Sequence, residues 1–225
     1  MGGDAYDDEK PVHWVRISPF WLAETPVTNH QYARFLQATG YEEPPTWRDR
    51  RFSAPEQPVV SVSWIDAQAF CRWLSEKSGL EVGLPTEAQW ELAARGPESR
   101  EYPWGDAKPD SSRACFGQDW QKGKPAPVGS FPDGAGPFEA LDQAGNVWEW
   151  CQDAWDEEAY AKRGQAEPLD PVVDREGGED VLRVFRGGSW LDPAESLRAA
   201  YRNGYPATDR FQLIGFRLVC RSREP

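Results

Sequence analysis

The chain has 225 residues, of which 39% are hydrophobic, with 12 Trp, 7 Tyr, 10 Phe, 20 Gly and 20 Pro. That is enough for one core of large rings and many turns, so a single domain over residues 1–225 is expected. The net charge of -12 leaves no basic stripe to meet phosphates, which excludes a nucleic-acid partner. No apolar run approaches the ~18 residues of a membrane span, so no membrane insertion is expected, and cytoplasmic placement and a monomer are the default expectations. Cys71, Cys115, Cys151 and Cys220 are scattered without a CxxC, and with only His13 and His30 beside them a zinc cluster is excluded.

Along the chain, the loose alternation of Val12–Ile17 predicts a strand, and Phe20–Leu22 a second. Three short helices follow, each announced by a capping box. Thr28 and Gln31 open the first, with Tyr32, Phe35 and Leu36 on its apolar face and Gly40 as its stop. After a proline-rich loop, Val59–Val62 reads as a short strand. Ser63 and Asp66 then open a helix with Ala67, Phe70, Cys71 and Leu74 inward and Gly79 at its end. Thr86 and Gln89 open the third, with Trp90, Ala93 and Ala94 inward. From Gly96 to Phe138 no period holds, and aromatic anchors or an ion are needed to pack so long an irregular stretch.

In Leu141–Trp150, apolar and polar residues alternate from Val147 on, so a strand enters the core there. Asp142 and Glu149 are carboxylates that can face one hard cation, with turn carbonyls completing an oxygen shell. The alternative is that Asp142 caps a turn and Glu149 pairs with an arginine. Residues 153–180, with Gly177–Gly178, read as a polar hairpin arm. Two further strands, around Arg183–Phe185 and Ile214–Val219, flank residues 190–213. That segment has no periodicity but is rich in rings, arginines and turn formers.

The landmarks Leu84–Glu91, Tyr102–Gly105, Pro127–Phe131, Gly145–Trp150, Arg186–Trp190 and Ile214–Arg217, in that order, resemble the formylglycine-generating enzyme family. This is the sulfatase-modifying factor domain. The resemblance implies an α+β, C-type-lectin-like fold of short helices, small twisted antiparallel sheets and much irregular structure. It also implies a structural calcium ion held by Asp142, Glu149 and the carbonyls of Gly145 and Val147. The family's cysteine-oxidising members hold copper with two cysteines after the Gly-Gly-Ser-aromatic turn. Those positions fall at Asp192 and Leu197 here, so no copper site and no formylglycine generation are expected.

The segment most resembles the variable region of retroelement-diversified variable proteins, which display a ligand-binding face between the Gly-Gly-Ser-Trp turn and Ile-Gly-Phe-Arg. The resemblance makes Trp190, Leu191, Asp192, Tyr201, Asn203, Tyr205, Thr208, Asp209, Phe211 and Leu213 the expected ligand-binding set. Tyr and Trp offer rigid contact area, and Asn, Thr and Asp offer adaptable hydrogen bonds. Arg198, Arg202 and Arg210 are expected to brace or flank it. The leading expectation is a non-enzymatic display protein for a protein or other macromolecular ligand. An enzyme or a regulatory module of the same family, without formylglycine-generating activity, stands as the alternative. Burial of these rings as ordinary core beneath the 153–180 arm is the remaining one.

Overall fold

A computed structural model describes residues 1–164, 166–175 and 181–221. The three expected helices are present: α1 (Asn29–Thr39), α2 (Trp64–Ser78) and α3 (Glu87–Arg95), capped by Thr28, Ser63 and Thr86. In each, the cap side chain accepts the N3 amide while the N3 side chain accepts the cap amide, which satisfies two donors that the first turn leaves free. Helices α1 and α2 bury Tyr32, Phe35 and Phe70 against Phe216, with Tyr32 stacked on Phe70 at 5.7 Å and Phe70 edge-on to Phe216 at 5.5 Å.

Two small sheets complete the α+β fold. The strands β1 (Trp21–Leu22), β2 (Glu81–Gly83) and β7 (Val219–Arg221) form one, in the order β1-β7-β2, all antiparallel. The other has the order β5-β4-β3-β6, from β3 (Trp148–Ala154), β4 (Leu182–Arg186), β5 (Arg202–Pro206) and β6 (Ile214–Gly215). There β3 pairs antiparallel with β4 and parallel with β6, and β4 pairs antiparallel with β5.

Two expected strands are corrected. Val12–Ile17 forms only an isolated bridge from Arg16 to Leu169, because its backbone bonds are shared among Met1, Pro168 and Asp170 rather than one partner strand. Val59–Val62 is no strand: Ser61 has a φ of 58°, which breaks the extended run, and Val59, Val60 and Val62 are all buried between two apolar clusters. The described part of the 153–180 arm is no hairpin. It carries the short helix α4 (Ala159–Arg163), which buries Tyr160, and Gly177–Gly178 lie outside the described residues. Strand β5 lies inside the segment expected to be irregular.

The four-stranded sheet has one ionic and one aromatic face, as its two-residue side-chain period dictates. Glu149, Cys151 and Asp153 of β3, Val184 and Arg186 of β4, and Arg202 of β5 face α3, and all are buried. Arg186, wholly buried, donates to Glu87 Oε1 and Glu91 Oε2, both at 2.7 Å, and to the Ala199 carbonyl. Arg202 forks onto both oxygens of Glu87 at 2.7 and 2.9 Å, and Arg217 onto both oxygens of Glu149 at 2.6 and 2.7 Å. Burial alone would raise the Glu91 carboxyl, but the charges of Arg186, the N-terminal amine and Arg95 overcome it and hold the group at about 2.

Asp153 on the same face has weaker compensation, from Arg163 at 3.9 Å. Burial, reinforced by the Glu87 charge, lifts it to about 6, against the amides of Glu87 and Val173 that it accepts. Below pH 4 the folded and unfolded chains both hold this proton; between about pH 4 and 6 only the folded chain does, so stability falls as pH rises through that window. The loss amounts to about 3 kcal/mol. Urea unfolding across this range is expected to show a flatter pH dependence for Asp153→Asn than for the wild type. An unchanged slope contradicts the assignment.

Candidate functional site

The aromatic face of the same sheet continues into a cleft of about 200 Å³, lined by Trp148, Phe185, Asp192, Tyr201, Tyr205 and Phe211 together with Ser196, Asn203, Leu213 and Ile214. Strand period sets the lining. Asn203 and Tyr205 of β5 point to the cleft because Arg202 and Gly204 point the other way, and Phe185 lies between Val184 and Arg186 in the same manner. Gly204 is required there, because a Cβ would lie 2.5 Å from the Trp155 ring.

The carboxylate on the cleft wall is placed by the Gly187–Gly188–Ser189–Trp190 turn. Gly187 and Gly188 have φ of 104° and 75°, a region that side chains disfavour, and a Cβ on Gly188 would meet Leu197 at 2.9 Å. The turn returns the Ser189 hydroxyl and amide to Asp192 Oδ2, and the Trp148 indole donates to the same oxygen at 2.9 Å. Three donors thus hold Oδ2, while Oδ1 accepts no hydrogen bond among the described residues.

The rings form a chain of contacts around the cleft. Trp148 meets Phe185 edge-on at 4.9 Å and Tyr201 at 5.9 Å; Tyr205 lies 5.3 Å from Phe185 and edge-on to Phe211 at 5.1 Å. Tyr205 and Phe211 are 40% and 41% exposed and form the mouth. Burial, helped by Tyr6 and the Asp192 charge, raises the Tyr201 phenol, which therefore stays protonated and able to donate at neutral pH.

Six of the ten expected binding residues line this cleft: Asp192, Tyr201, Asn203, Tyr205, Phe211 and Leu213. The other four do not. Trp190 is corrected to a core residue: it is fully buried, packs against Phe52 and Trp120, and donates its indole proton to the Gln212 carbonyl. Leu191 packs partly buried in the same cluster, while Thr208 and Asp209 belong to the turn after β5. Trp148, Phe185, Ser196 and Ile214 were not foreseen. The signal for two of them was strand parity, since Trp148 and Phe185 sit on the face that Tyr205 shares. The three arginines of the segment brace it: Arg198 forks onto Glu9, Arg202 onto Glu87, and Arg210 onto Asp66 with Glu42.

At the expected calcium position, Glu149 is occupied by Arg217 and by the Trp90 indole, which donates at 2.7 Å. Asp142 accepts the Gly129 amide through Oδ2, and its buried Oδ1 has no partner. Burial lifts this carboxyl to about 6. An unpartnered buried oxygen fits a cation and supports Asp142 as a donor, whereas Glu149 is already committed. The copper positions do not fit that metal. Asp192 is a carboxylate, Leu197 packs on Tyr102, Ala114 and Ala144, and Cys71, Cys115, Cys151 and Cys220 lie outside the cleft lining.

The sulfatase-modifying factor enzyme 1-like domain matches residues 1–222. The chain belongs to that family. It is 34% identical to the formylglycine-generating enzyme of Streptomyces coelicolor over 96% of this chain and 83% of that protein. It is 32% identical to the hercynine oxygenase of Mycolicibacterium thermoresistibile over 96% of this chain, and spans 54% of that oxygenase. Among solved structures it superposes on PvdO from Pseudomonas aeruginosa with a TM-score of 0.83 at 27% identity, covering 99% of this chain and 90% of PvdO. Treponema denticola variable protein 1 superposes with a TM-score of 0.78 at 25% identity, covering 98% of this chain and 91% of that one. The expectation of a non-enzyme is therefore corrected: relatives that match nearly the whole chain at this identity are enzymes.

The packing separates the rings of the segment by role. Trp190→Ala is expected to cost about 3–5 kcal/mol in urea unfolding, as for a buried ring, and Tyr205→Ala and Phe211→Ala about 1 kcal/mol or less. Equal losses for all three would show that the mouth rings are structural.

Proposed function

We propose that the chain is an enzyme of the sulfatase-modifying-factor family that binds its substrate in the Trp148–Phe211 cleft and works without the paired-cysteine copper chemistry of formylglycine generation. One observation carries this reading. Asp192 is the one charged side chain lining the cleft among the described residues, and its Oδ1 accepts no hydrogen bond among them. An oriented carboxylate can accept a proton or fix a donor, and the protonated Tyr201 phenol can supply one. The kinship with a variable protein supports the same 190–213 surface as the one that meets the ligand.

Two assays test the reading. A sulfatase-derived cysteine peptide incubated with the chain, copper and dioxygen is expected to yield no aldehyde to an aminooxy probe; aldehyde formation refutes the claim about chemistry. Mass spectrometry of a small-molecule extract from the source cells is expected to show a compound consumed by the wild type and spared by Asp192→Asn. Equal depletion by both proteins, or none, counts against the cleft as the substrate site.

The unpartnered Asp142 oxygen supports a structural calcium ion, held by Asp142 and the carbonyls of Gly145 and Val147. Excess EDTA is expected to lower the melting temperature of the wild type and not that of Asp142→Ala. A wild-type melting temperature indifferent to EDTA removes the ion from the account.

A further inference from the structure

We infer that the outer edge of β1 docks an extended, lysine- or arginine-bearing segment of another protein, added as a further strand to the three-stranded sheet. The register defines that edge. Trp21 pairs with Cys220 and Leu22 with Val219, and the Ala23 amide donates to the Leu218 carbonyl at 2.9 Å. Bonded and unbonded pairs alternate along an antiparallel ladder. Trp21 and Ala23 therefore direct their backbone groups to β7, and Leu22 directs its own outward. Phe20, two residues earlier, has the same parity as Leu22. Neither residue's amide or carbonyl has a partner among the described residues. Unpaired edges of this kind are templates for an incoming strand.

The run that leads into β1 has the same character. Met1 and His13 exchange both backbone hydrogen bonds, at 2.9 and 3.0 Å, so one antiparallel pair is already made there. Val15 and Ile17 share the parity of His13 and have no backbone partner among the described residues, while Arg16 takes Pro168 and Asp170 on the other side. A groove of about 600 Å³ accompanies the edge, lined by Ile17, Phe20, Trp21 and Leu22, by Leu92 of α3 and by Phe138. Trp21 is 73% exposed and Phe138 59%. A strand seated there pairs its backbone with the edge and covers these apolar groups with alternate side chains. A docked helix would leave the edge unpaired, because its own backbone groups are bonded internally.

Charge selects the occupant. Glu24 and Glu139 line the groove, both exposed and neither in an ion pair among the described residues, and no basic side chain lines it. A second copy of the chain would set the same two carboxylates against their own images, and each copy carries a net charge of -12. A basic segment meets both carboxylates with opposite charge.

The test is isothermal titration of the full chain with a capped, alternating lysine–valine peptide of about seven residues, a usual strand length. Two controls accompany it: the backbone N-methylated peptide, which keeps the side chains and loses the donors, and the peptide with glutamate for lysine. Saturable binding of the lysine peptide is expected, about tenfold or more tighter than either control. Hydrogen exchange is expected to slow in the complex at the amides of Phe20 and Leu22 and not at Trp21, which β7 already holds. Glu24→Lys with Glu139→Lys is expected to turn the preference to the glutamate peptide and leave the urea midpoint unchanged. A folded chain that binds none of the peptides, or binds the N-methylated one as tightly, overturns the strand addition. A dimer in sedimentation that the lysine peptide disperses assigns the edge to a second copy and overturns the partner. Protein from the source cells that carries residues ahead of Met1 and refuses the peptide overturns it too, since its own chain then fills the edge. None of these results bears on the cleft as a substrate site.

Discussion

Buried arginine–carboxylate pairs join α3 and the four-stranded sheet across long stretches of sequence. Arg186 and Arg217 have no exposed side-chain surface, and Arg202 has almost none, yet each is forked onto carboxylates and backbone carbonyls from other parts of the chain. Glu87 and Glu91 come from α3, and the arginines come from β4 and β5 roughly a hundred residues later. Taking such charges out of water costs several kcal/mol per ion, and their attraction repays this only when geometry is good and remaining donors are satisfied. The network therefore stabilises less than its number of contacts implies. What it enforces is arrangement: any packing that separates α3 from the sheet leaves charges buried and unpaired.

That arrangement fixes the cleft. Because side chains alternate along a strand, Arg202 reaching α3 obliges Asn203 and Tyr205 to face the other way, and Arg186 does the same for Phe185. One sheet thus presents charge to α3 and rings to the substrate side. The Gly187–Gly188 turn then swings the chain so that Asp192 comes under the Trp148 indole. Within this frame the chain sets a carboxylate.

Much of this was legible in the residues. The capping boxes at Thr28, Ser63 and Thr86 are local, with partners three residues away, so pattern alone located α1, α2 and α3. The two missed strands failed for a different reason. Val12–Ile17 has strand-like composition, but whether an extended run joins a ladder depends on partners that lie far away in sequence, and Val59–Val62 is broken by the positive φ of Ser61. Strand β5 was hidden because its Gly204 and Pro206 weaken the pattern, and Gly204 is there for Trp155 to approach. At the site, the sequence marked the segment but not the depth of each ring. Trp190 and Tyr205 look equally suited to a surface, and only packing shows the first sealed beneath Trp120 and the second half-open.

The claim that the buried pairs act as one unit is tested most directly by a double-mutant cycle on Glu87→Gln and Arg202→Met, read by urea unfolding. Each single substitution is predicted to cost about 3–5 kcal/mol, because it strands the partner's charge in the interior. The double variant is predicted to be less damaged than the sum of the singles by more than about 1 kcal/mol. Strictly additive losses would contradict the account, since they would mean that the two groups are held by their surroundings and not by each other.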